Sequence, residues 1–330
     1  MRVYALVALS SLLWSAGYPR ESPLLRLVAD IPLPGPAVRF DYQSVDTVAN
    51  RLYISHMNAG ELIVFNLAKR RVEGTVGDLP KVTGVLAVPS LGKIYVSVPG
   101  EHHVAVIDAR TLRVQARLGK IGFPDGIAYA PDEKKLYVSD EAGGGELVID
   151  CASGRVLTTI PIGGEAGNTV YDPGAKRILV AVQTRNEVVE IDPYTDRVTA
   201  RHKWAAAAHP HGMAVDVVHR LLFVANERDA SLLMVDLRSM KVLSRHRVGG
   251  DPDVLAFDPG LNRLYVASES GVVSVLTERN GKLMHDGDMV VAHAHTIAVD
   301  PRTHLVYFPL SNVDGHPIMR IMRAHESLNN

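Results

Sequence analysis

The stretch Arg51–Ser55 (RLYIS) is a short strand pattern that returns at an almost constant interval along the chain. Its central position is aromatic or aliphatic in every copy and falls at Tyr53, Tyr95, Tyr137, Leu179, Phe223, Tyr265 and Tyr307. Successive copies are 42, 42, 42, 44, 42 and 42 residues apart. A period of about 40 residues with several short strands per unit is typical of one blade of a β-propeller. The sequence therefore predicts an all-β fold of seven blades.

One complete unit, Gly84 to Leu118, predicts a blade of four strands. Val85–Val88 is a continuous apolar run, as expected for an innermost strand buried between neighbouring blades. Lys93–Ser97 and His103–Asp108 follow after short turns, and Arg113–Leu118 alternates between apolar and polar residues like a half-exposed outer strand.

The last unit supplies three strands and no outer one. The segment Leu24–Ile31, ahead of the first blade, is an apolar stretch of the right length with no place in another blade. We expect this N-terminal strand to join the seventh blade and close the ring, because closure removes two open sheet edges.

The beginning of the chain has the pattern of an export signal. Met1 and Arg2 precede an apolar run from Val3 to Ala16, and Ser15 and Gly17 supply the small residues of a cleavage site. The apolar run is too short to span a bilayer comfortably, so residues 1–17 are predicted to be a secretory signal peptide. The expectation is one propeller domain over residues 18–330, periplasmic or secreted, with no membrane insertion after cleavage.

The overall charge argues against nucleic acid as a partner. Lys plus Arg (35) nearly cancels Asp plus Glu (36), and no long basic run occurs. Cys151 is the single cysteine, so no internal disulfide is possible. We expect a monomer that binds a small molecule or a protein on one face.

Candidate site residues stand at the start of each innermost strand, twelve places before the repeated position. Reading these positions gives Asp41, Thr83 (or Gly84, if the turn of blade 2 is one residue shorter), Asp125, Gly167, His211, Asp253 and His295. Structural positions in a repeat protein tend to look alike from unit to unit, whereas these are acidic, imidazole or very small. We therefore predict a functional ring of side chains at one mouth of the central channel.

A second set of residues begins the loops between second and third strands, on the same face as the ring. These residues are Met57, Pro99, Glu141, Gln183, Glu227, Glu269 and Ser311. The two extra residues of the fourth interval fall in 203–208, and insertions on one face of a repeat array mark the binding face. Trp204 in that insertion is expected to form a wall or lid. The predicted ligand-binding residues are Asp125, Glu141, His56, Trp204 and, beside Gly167, Asn168.

Imidazoles and carboxylates that converge on one point are the ligand set of a divalent transition metal with open positions for water. The predicted metal ligands are His211, Asp253, His295 and Asp41, with Glu227 or Glu269 as the catalytic base. Without a metal, the same groups could bind a polar ligand or act as acid and base. They could also serve structure alone, by hydrogen-bonding backbone amides or ordered water along the axis.

Two of the repeat strands, Lys135–Asp140 (KLYVSD) and Arg263–Ser268 (RLYVAS), resemble the repeat strand of the YVTN-type repeat propellers. The resemblance covers nearly all of the chain after the predicted signal peptide. It implies the seven-bladed fold, but such propellers host many activities.

The placement of the site is similar to that in two other kinds of propeller. In gluconolactonase-type propellers a metal lies at the channel mouth. Propeller lyases of the virginiamycin-inactivating kind use a His from an inter-blade loop with a Glu after the second strand. His211 with Glu227 fits the lyase pattern, whereas His295 is matched by Ser311 where a Glu would be wanted.

Several familiar catalytic motifs are absent from the sequence. It has no Gly-x-Ser-x-Gly elbow, no dinucleotide or phosphate loop and no His-Glu-x-x-His. A hydrolase would therefore use metal-activated water or acid–base chemistry. We expect a metal-dependent hydrolase or lyase for a small oxygenated molecule. The alternatives are a non-catalytic binding propeller and a redox-associated propeller, which would need a separate subunit to carry its cofactor.

Overall fold

A computed structural model describes residues 24–325, and its regular elements are β-strands joined by tight turns. Four of the connections contain a 3₁₀ turn, at Met57–Ala59, Pro89–Leu91, Pro99–Glu101 and Gln183–Arg185. Within residues 24–325 no helix is long and apolar enough to cross a membrane. The predicted signal peptide lies outside the described residues.

The strands form seven antiparallel sheets of four, which we number as blades along the chain. Strand β1 is Leu25–Pro32. Blade 1 contains β2 (Gln43–Asp46), β3 (Arg51–His56), β4 (Glu61–Asn66) and β5 (Arg71–Val76). Blade 2 contains β6 (Val85–Val88), β7 (Lys93–Val98), β8 (His103–Asp108) and β9 (Val114–Leu118). Blade 3 contains β10 (Pro124–Ala130), β11 (Lys135–Asp140), β12 (Gly145–Asp150) and β13 (Val156–Pro161).

The remaining blades follow the same plan. Blade 4 contains β14 (Ala166–Asp172), β15 (Arg177–Val182), β16 (Glu187–Asp192) and β17 (Arg197–Lys203). Blade 5 contains β18 (Pro210–Asp216), β19 (Leu221–Asn226), β20 (Ser231–Asp236) and β21 (Lys241–Arg247). Blade 6 contains β22 (Pro252–Asp258), β23 (Arg263–Ser268), β24 (Val272–Arg279) and β25 (Lys282–Val290). Blade 7 contains β26 (Ala298–Asp300), β27 (Leu305–Val313) and β28 (His316–Ala324). The predicted all-β, seven-bladed fold is confirmed.

The fourth strand of blade 7 comes from the other end of the described chain. Strand β1 pairs antiparallel with β28, from Leu25 opposite Ala324 to Pro32 opposite Ile318. The sheet order is β1-β28-β27-β26, so the first strand of the fold is the outermost strand of the last blade.

The repeated position explains why the blades pack in a ring. All seven of its side chains are at most 1% exposed, and each lies in the apolar cluster shared with the next blade along the chain. Tyr53 packs between blades 1 and 2, and Tyr307 of blade 7 meets Phe65 of blade 1 at a centroid distance of 6.4 Å. Burying each large side chain stabilises the fold by roughly 1.5–3 kcal/mol, so the ring is held by seven similar interfaces.

The turns after the third strands of blades 2 to 5 are capped by aspartate. The carboxylate of Asp108, at the end of β8, accepts backbone hydrogen bonds from Arg110 (3.0 Å) and Thr111 (2.7 Å). Short side-chain oxygens of this kind satisfy backbone donors that the turn would otherwise leave unpaired.

Glu146 on β12 is a carboxyl buried between blades 3 and 4. It is fully buried, accepts one hydrogen bond from Thr169 (3.0 Å) and leaves Oε2 without a partner. Burial raises the pKa of Glu146 to about 8, against a smaller lowering by the Thr169 hydroxyl. Between the ordinary pKa of a glutamate and about 8, the folded protein therefore keeps a proton on Glu146 that the unfolded chain has released.

The buried carboxyl makes stability depend on pH. Between the unfolded pKa of Glu146 and about 8, its contribution to the free energy of unfolding should fall by about 1.4 kcal/mol per pH unit, because the folded state binds one more proton. Glu146→Gln keeps a group that can pair with Thr169 and removes the titration. Urea denaturation should show the variant gaining stability relative to the native protein as the pH rises from mildly acidic to mildly alkaline. A constant difference across that range would contradict the prediction.

Candidate functional site

The predicted ring residues lie together at one mouth of the channel, where the innermost strands begin. The backbone N–H of Asp41 donates to the carbonyl of Ser55 (2.8 Å), and that of Thr83 donates to the carbonyl of Ser97 (3.1 Å). These matching bonds place Thr83, and not Gly84, at the ring position of blade 2.

A cavity of about 140 Å³ opens at this mouth. Five of the seven ring residues line it, together with neighbours from the loops: Arg39, Asp41, Tyr42, Met57, Thr83, Phe123, Asp125, Glu141, His211 and Asp253. The lining is rich in ionisable groups, and those groups come from blades that are far apart in sequence.

The imidazole of His211 is the most connected group in the cavity. Its Nδ1 lies 2.8 Å from the side-chain amide of Gln183, a group that offers an oxygen to a protonated ring and an N–H to a neutral one. Its Nε2 lies 3.3 Å from the Tyr42 hydroxyl and 3.3 Å from Oδ1 of Asp253. Both ring nitrogens are therefore engaged, so the ring is held in one orientation.

The charge state of His211 follows from these neighbours. Burial alone would lower its pKa, but the hydrogen bond to Asp253 and the charges of Asp253, Glu227 and Asp125 outweigh burial and raise the pKa to about 10. Burial likewise favours protonation of Asp253, yet the His211 imidazolium, with His295 and Arg39, holds the pKa of this carboxyl below its usual value. At neutral pH the two form a buried ion pair.

The other carboxyls of the cavity are raised in pKa. Burial, together with repulsion from Asp253, raises the pKa of Asp125 to about 6, although His211 and a hydrogen bond from Tyr42 (3.2 Å) act in the opposite direction. Burial and repulsion from Asp125 and Asp253 raise the pKa of Asp41 well above its ordinary value. Groups that titrate near neutrality inside a cavity are typical of acid–base sites.

Glu141 stands at the rim of the same cavity. Burial raises its pKa to about 7, with a further contribution from the charge of Asp125.

Asp253, Glu269 and His295 form a group that could hold a metal ion. One ligand atom from each lies within 4.8 Å of the other two. Burial lowers the pKa of His295, so its imidazole is neutral, and its Nε2 is buried without a hydrogen-bond partner among the described residues. A neutral imidazole beside two carboxylates is a donor set suited to a divalent transition metal.

The guanidinium of Arg39 neutralises the two carboxylates of this group, Asp253 and Glu269. Nη1 of Arg39 donates to Oε1 of Glu269 (2.6 Å), and Nη2 lies 3.7 Å from Oδ2 of Asp253. A metal ion would therefore have to share these carboxylates with Arg39 or displace it.

The metal set predicted from sequence differs from the group that the structure brings together. Asp253 and His295 belong to this group. Glu269, which the sequence predicted as a catalytic base, is its third member. Asp41 and His211 lie outside the group. The other predicted base, Glu227, accepts from His209 (2.7 Å to Nδ1) and lies 3.5 Å from Nδ1 of His211.

Three of the predicted ligand-binding residues do not line the cavity. His56 is fully buried, stacks on Phe40 at 4.2 Å and pairs with Glu61 (3.2 Å). Asn168 lies within β14, one residue beyond the ring position of blade 4.

Trp204 is the third, and its predicted role as a wall or lid is corrected by its contacts. Its indole N–H donates to the carbonyl of Met240 (2.9 Å), and its ring packs against the core between blades 4 and 5. The insertion thus serves the packing of two blades.

Sequence reasoning missed Tyr42, Arg39 and the role of Gln183. A signal for Tyr42 was present, because blades 2, 3 and 5 have glycine directly after the ring residue, whereas blade 1 has tyrosine. The sequence indicates Gln183 only as a loop position. Arg39 precedes the ring of blade 1 and carries no repeat signal.

Comparison with solved structures supports the fold. A chain of hydrazine synthase from Kuenenia stuttgartiensis is 15% identical with a TM-score of 0.74, over 94% of this chain and 99% of that one. A chain from a crystal structure of the mitotic checkpoint complex is 12% identical with a TM-score of 0.76, over 99% of both chains. At these identities the likeness shows the β-propeller fold alone. No family model matches the sequence, and no curated protein matches it significantly.

Proposed function

We propose that this protein is an exported propeller enzyme of the YVTN-repeat kind, a metal-dependent hydrolase or lyase for a small oxygenated molecule. The observation that carries the proposal is the convergence of Asp253, Glu269 and His295 beside a cavity that holds His211, Asp125 and Tyr42. The apolar run of residues 3–16 supports export.

Asp253, Glu269 and His295 would hold the ion, and their mixed nitrogen and oxygen donors suit a zinc- or manganese-like metal. When bound, such an ion polarises a substrate oxygen or activates water. The residues of this chain supply the rest. The His211 imidazolium, held by its ion pair with Asp253, places a positive charge beside the cavity that favours a developing negative charge there. Asp125, with a pKa of about 6, is placed to accept a proton.

Metal binding is the first test of this proposal. Metal-free protein should bind Zn²⁺ or Mn²⁺ at one site in calorimetric titrations. Glu269→Gln or His295→Ala should weaken binding by more than about tenfold, because loss of even an outer-shell partner has effects of that size. His293→Ala is the matched control, since His293 lies in the same segment but is exposed. Failure of the native protein to bind either ion, or equal binding by all variants, would reject the metal site.

A non-catalytic, ligand-binding propeller is the second candidate. The position of Arg39 favours it, because the guanidinium already neutralises Glu269 and lies near Asp253. In this case the native protein would bind no metal, and Arg39→Ala would expose the carboxylates and create metal affinity.

A further inference from the structure

The cavity contains three carboxylates that have no cationic partner. Asp41, Asp125 and Glu141 line it, and none of them takes part in an ion pair with a described residue. The two cations of the cavity are engaged elsewhere, since His211 pairs with Asp253 and Arg39 pairs with Glu269. The Asp125, Asp41 and Glu141 side of the mouth therefore has an excess of negative charge.

The carboxylate of Asp41 has no structural partner among the described residues that would account for its burial. Its side chain is more than nine-tenths buried, with 6% of the residue exposed, and its carboxylate accepts no hydrogen bond within residues 24–325. Burying an ionised group without a partner is costly. Burial raises the pKa of all three carboxyls. Repulsion adds to it, from Asp125 on Asp41 and on Glu141 and from Asp253 on Asp41 and on Asp125, and a bound cation would relieve this repulsion.

The spacing of the carboxylates distinguishes between kinds of cation. A metal ion needs ligand atoms that converge on one point, and the described residues provide such a group only at Asp253, Glu269 and His295. Asp41, Asp125 and Glu141 instead surround a space of about 140 Å³, several times the ~30 Å³ that one water molecule occupies in the liquid. The space suits a group of a few atoms.

Aromatic rings complete the lining. Tyr42 and Phe123 both face the cavity. Aromatic faces combined with carboxylates are a common way to recognise organic ammonium ions, which gain from both the negative charge and the ring quadrupole.

An open groove continues from the cavity between blades 3 and 4. Phe123 and Glu141 line both spaces, and the groove has a volume of about 570 Å³. Its surface is formed in part by four glycines, Gly143, Gly144, Gly163 and Gly164, so little side-chain volume fills it. The groove gives room for the uncharged remainder of a ligand.

We infer that the channel mouth binds a small molecule bearing an amine, with its ammonium group among Asp41, Asp125 and Glu141 and its remainder along the glycine-lined groove. This deepens the proposed function by naming its substrate class, but amine binding is measurable without metal or turnover.

The test is calorimetric titration of metal-free protein with ethanolamine and with ethylene glycol, its uncharged isostere. Ethanolamine should bind at millimolar concentration or below, and ethylene glycol should not. Asp41→Asn and Asp125→Asn should each weaken binding by about tenfold or more, because each removes one buried charge facing the ammonium. Both variants reduce repulsion and should fold, which circular dichroism would verify.

Two further variants make the result decisive. Glu101→Gln changes a carboxylate of the β7–β8 loop, on the same face, that lines neither the cavity nor the groove, and it should leave ethanolamine affinity within about twofold. Glu269→Gln should weaken metal binding by more than about tenfold and keep amine binding. Absence of ethanolamine binding, equal binding of ethylene glycol, or no effect of both Asp variants would overturn the inference while leaving the metal result intact.

Discussion

Gly212→Ala should destabilise the protein by about 3 kcal/mol and disrupt the channel mouth, because overpacking against backbone has no side-chain route of relief. A Cβ on Gly212 would lie 1.8 Å from the backbone oxygen of Asp253, so the ring residue of blade 6 must move. That movement would separate Asp253 from His211 and from the metal group. Urea denaturation would measure the loss of stability, and metal titration the loss of the site.

Gly250→Ala is the matched control at the same mouth. Its added Cβ would meet only Ser270, at 3.7 Å, an ordinary contact. We expect its stability to stay within about 0.5 kcal/mol of the native value. If Gly212→Ala behaved like this control, the inner strands would be less closely packed than the structure shows.

Asp172→Ala should be as damaging, for an electrostatic reason. The Asp172 carboxylate is fully buried, accepts from Nε of Arg177 (3.0 Å) and pairs with the Arg220 guanidinium of blade 5. Its removal would leave two largely buried guanidinium groups without this anion, a change that costs about 3–5 kcal/mol. Thermal and urea unfolding would measure it.

The pH dependence of stability gives a second test of the ion pairs of Asp172. Burial would raise the pKa of Asp172, but Arg220 and Arg177 outweigh it and hold the pKa below its usual value. Its stabilisation is therefore present above the unfolded pKa and is lost as pH falls through the folded pKa.

Asp132→Ala is the control for Asp172→Ala. Asp132 pairs with Lys176 at 2.7 Å, but the two side chains are 50% and 67% exposed. Exposed ion pairs contribute little, so the change should cost less than about 0.5 kcal/mol. Comparable losses in both variants would mean that burial does not govern these ion pairs.

The fold was accessible from sequence because its information is local and repeated. Each copy of the strand around Tyr53 places one large side chain between its own blade and the next, and the seven copies agree. Strand boundaries shifted by a residue or two, as at β7, predicted as Lys93–Ser97 and observed as Lys93–Val98, because hydrogen bonding across the sheet extends a strand beyond its apolar centre.

The site was only partly accessible. Counting from the repeat identified Asp41, Asp125, His211 and Asp253, which all line the cavity. Counting could not tell which side chains would face the channel and which would turn into the blades. Trp204, for example, packs against the apolar core between blades 4 and 5 and does not line the cavity.

By itself, the sequence determined the blade number, the strand order and the mouth at which unlike polar residues gather, since periodicity alone specifies them. Only the tertiary structure decided that Arg39 neutralises Glu269, that Tyr42 reaches His211, and that Asp41, Asp125 and Glu141 lack cations. These pairings join residues from blades that meet only when the ring closes. Charge and hydrogen-bond energies depend on distances of a few ångströms, which spacing along the chain does not encode.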